Sequence, residues 1–134
     1  MTIAEVGKKL GISSDTLRYY ERIGLIPKVK RNENGIRDYT EEDCNWVEFI
    51  KCMRNAGIQV EALVKYVALF QQGELTHSAR KQILIEQHDQ LKERLAEMKA
   101  TLKRLNHKIE NYDQLLVPAQ KRLQPLNLKG YFND

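Results

Sequence analysis

Between Thr76 and Val117 one stripe of residues recurs with gaps alternating four and three: Leu84, His88, Leu91, Leu95, Met98, Leu102, Leu105, Ile109, Tyr112 and Leu116. A seam held over so many repeats is the pattern of a long coiled-coil helix. The residues around it are mostly Lys, Glu, Arg and Gln, and neither Gly nor Pro interrupts the run before Pro118. That predicts a helix of about 60 Å at roughly 1.5 Å per residue. Leaving nine apolar seam residues in water would cost on the order of 10 kcal/mol, at roughly 1.5 kcal/mol each. This rivals the stability of a whole domain, about 5–15 kcal/mol. The seam therefore needs a partner, and the simplest is a second copy. Leu84, Leu91, Leu95, Met98, Leu102, Leu105, Ile109, Tyr112 and Leu116 are the expected homodimer seam. The pattern does not fix whether the helices run parallel or antiparallel.

The rest of the 134-residue chain is too short for a second large domain. Charged residues make up 30% and aromatics 7%, which disfavours a big core and suits a helix-rich fold with much charged surface. A net charge of +4 permits a nucleic-acid partner without requiring one. Glu5, Lys8 and Lys9 interrupt the N-terminus before any apolar run develops, so no signal peptide is expected. No stretch approaches the roughly 20 apolar residues of a membrane span. The expectation is a cytoplasmic protein with no membrane partner. Cys44 and Cys52 are the only cysteines. On one helix they would lie about 12 Å apart along the axis, beyond disulfide reach, so reduced thiols are expected.

Two short helices open the chain. Thr2 and Glu5 form a capping box ahead of Val6 and Leu10, with Gly11 placed to end the helix. Ser13 caps a second helix from Ser14 to about Ile23, closed by Gly24. The pair is a helix-turn-helix candidate. Pro27 stops helix continuation, and the turn cluster Asn32 to Gly35 between extended pieces predicts a small β-wing. A third helix begins at Thr40, reinforced by Asp43, and runs to about Asn55. A fourth covers about Val60 to Gln71 and stops at Gly73. Trp46, Phe49, Ile50, Met53, Leu63, Val67 and Phe70 supply this second helix pair with core.

The second helix carries Ser14, Asp15, Thr16, Arg18, Tyr19 and Arg22, while Leu17 and Tyr20 anchor it to the first. Hydroxyl and basic groups near a helix N-terminus suit base edges and phosphates. Lys28, Lys30 and Arg31 precede the turn, and Arg37 and Tyr39 follow it. A basic wing with a tyrosine hydroxyl suits phosphate or minor-groove contact. Any one of these residues alone reads most simply as a solvated charge. Flanking one recognition helix, they point to double-stranded DNA.

Thr16-Leu17-Arg18-Tyr19-Tyr20-Glu21-Arg22-Ile23-Gly24-Leu25-Ile26-Pro27, then Asn34-Gly35-Ile36-Arg37-Asp38-Tyr39 and Asp43, resembles the N-terminal signature of the MerR family of transcriptional regulators. The resemblance covers about the first seventy residues and is specific, because unusual residue types recur in order. Ile36 departs from it, since many members carry a tyrosine there. The implied fold is mainly α: a winged helix-turn-helix DNA-binding domain with a second helix pair over 1–75, a long dimerisation helix over 76–117 forming an antiparallel coiled coil, and a short tail over 118–134. The implied activity is activation of a promoter whose spacer is too long for good RNA polymerase contact, by bending and untwisting its DNA. Ser14, Thr16, Arg18, Tyr19 and Arg22 are the candidate recognition-helix contacts, and Lys28, Arg31, Arg37 and Tyr39 those of the wing.

Metal-sensing relatives place cysteines at the start of the dimerisation helix and in a loop beyond it. This chain has none after Cys52, and His77, His88 and His107 do not converge, so neither a metal nor another cofactor is expected. Cys52 stands between Lys51 and Arg54, where cations favour a thiolate, although a helix C-terminus opposes one. Free cysteines are often small buried hydrophobes, which is the simpler reading of Cys44 and competes for Cys52. The short tail and Lys51-Cys52-Met53-Arg54 resemble the thiol-dependent branch of the family that answers aldehydes and other electrophiles. Cys52 is the implied sensor. Two alternatives stay open: a regulator answering a non-covalent small ligand, and a coiled-coil scaffold for a protein partner. An enzyme is disfavoured, because no phosphate loop, paired catalytic carboxylates or nucleophile–base set is legible.

Overall fold

The computed structural model describes residues 1–112 and 114. Its helices are α1 (Ile3–Leu10), α2 (Ser14–Ile23), α3 (Glu41–Asn55), α4 (Val60–Gln71) and α5 (His77–Glu110), with a short 3-10 turn at Glu74–Thr76. The protein is mainly helical, and the described residues contain no extended strand. The chain forms two compact units, Met1–Asp89 and a second beginning at Gln90.

In the first unit the starts of α1, α2 and α3 follow from local chemistry. Thr2 and Glu5 close a reciprocal capping box on α1, and Gly11 ends it at φ 66°, a left-handed conformation that costs glycine little. The Ser13 hydroxyl accepts the Thr16 amide at the start of α2. Thr40 and Asp43 form a second capping box at the start of α3. The turn between α1 and α2 is tight enough to exclude a side chain from one position. A Cβ on Gly7 would meet the Ile12 carbonyl oxygen at 2.7 Å.

Val6, Leu10, Leu17, Tyr20, Leu25 and Ile26 pack with Val47, Ile50, Ile58 and Leu63 into one core that fixes α2 on its scaffold. Fully burying a residue such as Leu17 contributes about 2 kcal/mol. Ile50, Leu63 and Val67 are buried as expected. Trp46 and Phe49 are only partly buried, and Phe70 is 40% exposed. With Tyr66 they form a surface aromatic cluster, in which Trp46 meets Phe70 edge-on at 5.0 Å.

The expected wing is a hairpin loop with a single antiparallel bridge, Arg31 to Arg37. Its turn is built by Asn32, whose side-chain oxygen accepts the amides of Asn34 and Ile36. Gly35 donates to the Asn32 carbonyl at φ 75°, a conformation costly for a residue with a Cβ.

At the end of α4 the Thr76 hydroxyl lies 2.7 Å from the carbonyls of both Leu69 and Gly73. The Arg80 guanidinium stacks 5.0 Å from the Phe70 ring centre. Helix α5 is a 34-residue element, about 51 Å at roughly 1.5 Å per residue. Ile83 is its one buried residue. Leu84 in the first unit is 39% exposed, and in the second Leu91, Leu95, Met98, Leu102, Leu105, Ile109 and Tyr112 are 37–70% exposed in the single chain. Leu116 and the 118–134 tail lie outside the described residues.

Candidate nucleic-acid interface

Helix α2 presents its polar face away from the core. Ser14 and Thr16 are half-buried at its first turn. The Thr16 amide and hydroxyl both engage Ser13, at 3.1 and 2.7 Å. Arg18 is exposed and pairs with Asp15 at 3.0 Å. At such exposure the pair contributes a fraction of a kcal/mol, so Arg18 is readily re-aimed. Tyr19 is 39% exposed, and the Arg22 guanidinium lies 5.5 Å from its ring centre. This stacking orders two long side chains side by side on the outer face.

Lys28, Lys30 and Arg31 are exposed along the first arm of the wing. Arg31 donates to the Gly35 carbonyl at 2.7 Å, which bends it over the turn. Ile36 is exposed at the tip. Arg37 is held by Glu21, its Nε donating to Glu21 Oε1 at 2.6 Å. The structure therefore brings eight of the nine expected residues onto α2 and the wing.

Tyr39 requires correction. Instead of offering its hydroxyl at the surface, it is 2% exposed. The hydroxyl is buried without a hydrogen-bond partner among the described residues. Its backbone amide donates to the Met1 carbonyl, which turns the side chain into the core. Burial also pushes the phenol above its ordinary pKa. Glu21, by contrast, was not singled out in the sequence. It lies four residues past the buried Leu17, on the core side of α2, and that spacing was the available signal.

The two cysteines differ. Cys44 is buried, and burial raises its thiol pKa. Cys52 is exposed. It lines an open cavity of about 370 Å³ with Lys9, Leu10, Glu48, Lys51 and Asn55. Its basic neighbours are bonded to carbonyls: Lys51 donates to Leu10 at 2.5 Å, and Arg54 to Ile58 at 2.6 Å.

Known proteins are similar to this chain in sequence and fold. The family of MerR HTH regulatory proteins matches residues 1–69, and the MerR DNA-binding family matches residues 45–108. The chain belongs to the MerR family. As a MerR protein it is a DNA-binding transcriptional regulator and not an enzyme. It is 58% identical over 91 residues to the HTH-type transcriptional regulator AdhR of Bacillus subtilis. That match covers 68% of this chain and 65% of AdhR, just under two thirds of the relative's length. A crystal structure assigned to a MerR family regulator of Listeria monocytogenes is 50% identical with a TM-score of 0.82, covering 92% of this chain and 93% of the other. HiNmlR, a MerR regulator lacking the sensor domain and solved bound to promoter DNA, is 31% identical with a TM-score of 0.78, covering 87% and 92%. The likeness to AdhR and HiNmlR supports the branch expected from the sequence. No helix of the described residues is long and apolar enough to cross a membrane.

Proposed function

We propose that this MerR protein works as a homodimer that distorts a long-spacer promoter for RNA polymerase when an electrophile modifies Cys52. Ser14, Thr16, Arg18, Tyr19 and Arg22 would enter the major groove on α2, with Lys28, Arg31 and Arg37 on phosphates beside it. The seam on α5 would pair with its copy, which its exposed apolar residues favour, in the antiparallel coiled coil that the family resemblance implies. The observation that carries the sensing is the contrast between the two thiols. Cys52 opens to a cavity flanked by Lys9 and Lys51, whereas Cys44 is enclosed. An aldehyde would form a carbon–sulfur bond at Cys52, the thiol proton passing to the carbonyl oxygen. An alkylating agent whose leaving group departs with the thiol proton would act on the same sulfur. So would a nitrosating donor that exchanges its nitroso group for that proton, or a peroxide that oxidises the thiol to a sulfenic acid and is itself reduced to water or an alcohol. The aldehyde-responsive reading gains support from the similarity to AdhR.

In vitro transcription from a long-spacer promoter, with and without an aldehyde, tests the proposal. The wild type is expected to be activated, and Cys52→Ser to bind the same DNA without responding. Equal response by both proteins would return Cys52 to a structural role. A non-covalent ligand would then be the better reading. It has its own support in the apolar cavity of about 200 Å³ lined by Trp46, Phe49, Tyr66 and Phe70.

A further inference from the structure

We infer that Glu21 is a positioning residue, which holds the wing at a fixed distance from the recognition helix so that both engage DNA as one rigid surface. Its side chain is 10% exposed, and each carboxylate oxygen has a different partner. Oε1 accepts Arg37 Nε at 2.6 Å, on the returning arm of the wing. Oε2 accepts the Val29 amide at 3.2 Å, on the outgoing arm. The arms are joined to each other by the Arg31–Arg37 bridge and by the Asp38 amide on the Lys30 carbonyl at 2.8 Å. One carboxylate on the last turns of α2 thus secures both sides of the hairpin.

The consequence for DNA lies in how Arg37 is used. Glu21 engages Nε, and no hydrogen bond among the described residues occupies the two terminal guanidinium nitrogens. A guanidinium gripped at one edge presents the other in a set direction, as a bidentate phosphate contact needs. Helix α2 also carries Ser14, Thr16, Arg18, Tyr19 and Arg22. The groove-reading side chains and the wing cation consequently share one rigid reference. Preorganisation of this kind removes an ordering cost that a loose two-residue bridge would leave to binding.

This rests on the DNA-binding reading of α2 and the wing, and the test separates the two. Duplexes are selected from a random pool by the wild type, and affinity is measured across a salt series for wild type, Glu21→Gln, Arg37→Met and the double variant. A glutamine cannot accept from both donors with charge assistance. Folded Glu21→Gln is expected to bind about tenfold more weakly, the worth of one charge-assisted contact. Its log–log salt slope should be shallower by about one phosphate. Arg37→Met should match it, and the double variant should lose no more than either alone. A merely structural role would lower the folded fraction and leave the slope of the folded protein at its wild-type value, which overturns the inference. Should Glu21→Gln fail to fold, Glu21→Asp decides by the same slope, because its shorter reach cannot span both partners. A wild type that selects no duplex overturns the DNA reading and this inference together. A steep wild-type slope shared by the folded Glu21 variant overturns the inference alone.

Discussion

The Lys51 ammonium donates to the Leu10 carbonyl at 2.5 Å, fastening α3 to the C-terminal end of α1 one residue before the exposed Cys52. The carbonyl is at a helix end, where the macrodipole favours a cation. Hydrogen bonds to charged groups contribute about 1.5–3 kcal/mol, and part of this one faces solvent. Lys51→Met keeps the apolar stem and removes the donor. It is expected to lower stability by about 1–2 kcal/mol, read as a lower urea midpoint at an unchanged m-value.

The two thiols should separate cleanly under a labelling reagent. Cys44 is 3% exposed, and its thiol pKa is raised by burial, which keeps it protonated at neutral pH. Cys52 is exposed on the outer side of the same helix. In the native protein iodoacetamide at pH 7.5 should add one label, lost in Cys52→Ser and retained in Cys44→Ser. Two labels should appear only after unfolding. Mass spectrometry of the intact chain reads the result, and two fast native labels would contradict it.

Tyr39 buries a hydroxyl with no partner among the described residues, and such a group costs about 1–3 kcal/mol. Tyr39→Phe is therefore expected to be neutral or stabilising, with DNA affinity unchanged because the hydroxyl does not reach the surface. Burial raises the phenol pKa of both Tyr39 and Tyr20 above their ordinary value near 10.0. Above that pH the unfolded phenols lose protons first, so the unfolded state binds fewer protons and stability falls as pH rises. The contribution is fully present below about pH 10, and the alkaline loss should shrink in Tyr39→Phe. Urea melts at pH 8 and pH 11 measure the difference.

The helices were legible because their boundaries are local. Thr2 with Glu5, Ser13, and Thr40 with Asp43 satisfy backbone groups within one turn, and the structure repeats those caps. Side-chain direction at the wing was less legible, because it depends on contacts far apart in sequence. Tyr39 points inward through a bond to Met1, and Arg37 is held by a residue on another element. The spacing of Glu21 from Leu17 places it on the core side of α2, but no local period names either distant partner. Phe70 reads as core from helical spacing, yet it lies at the edge of the aromatic cluster, where Arg80 covers it from α5. A charged residue stacking on a ring leaves no mark in a hydrophobic pattern.

The apolar stripe of α5 supplies the most direct test of assembly. Leu102 is 58% exposed in the single chain and sits between Met98 and Leu105 on the seam. Pairing with a second copy would bury Leu102 twice, for about 3 kcal/mol at roughly 1.5 kcal/mol each. A carboxylate there must also be desolvated or solvated in a gap, which adds to the loss. Leu102→Glu is expected to weaken dimerisation by at least about 100-fold. Sedimentation equilibrium should find two chains for the wild type and one for the variant at micromolar concentration. The caps and core of the first unit should keep helical circular dichroism through α1 to α4, so the variant should remain folded while losing cooperative DNA binding. A wild type that sediments as a single chain across that range would leave the seam without the partner its exposed residues call for, and homodimerisation would be wrong.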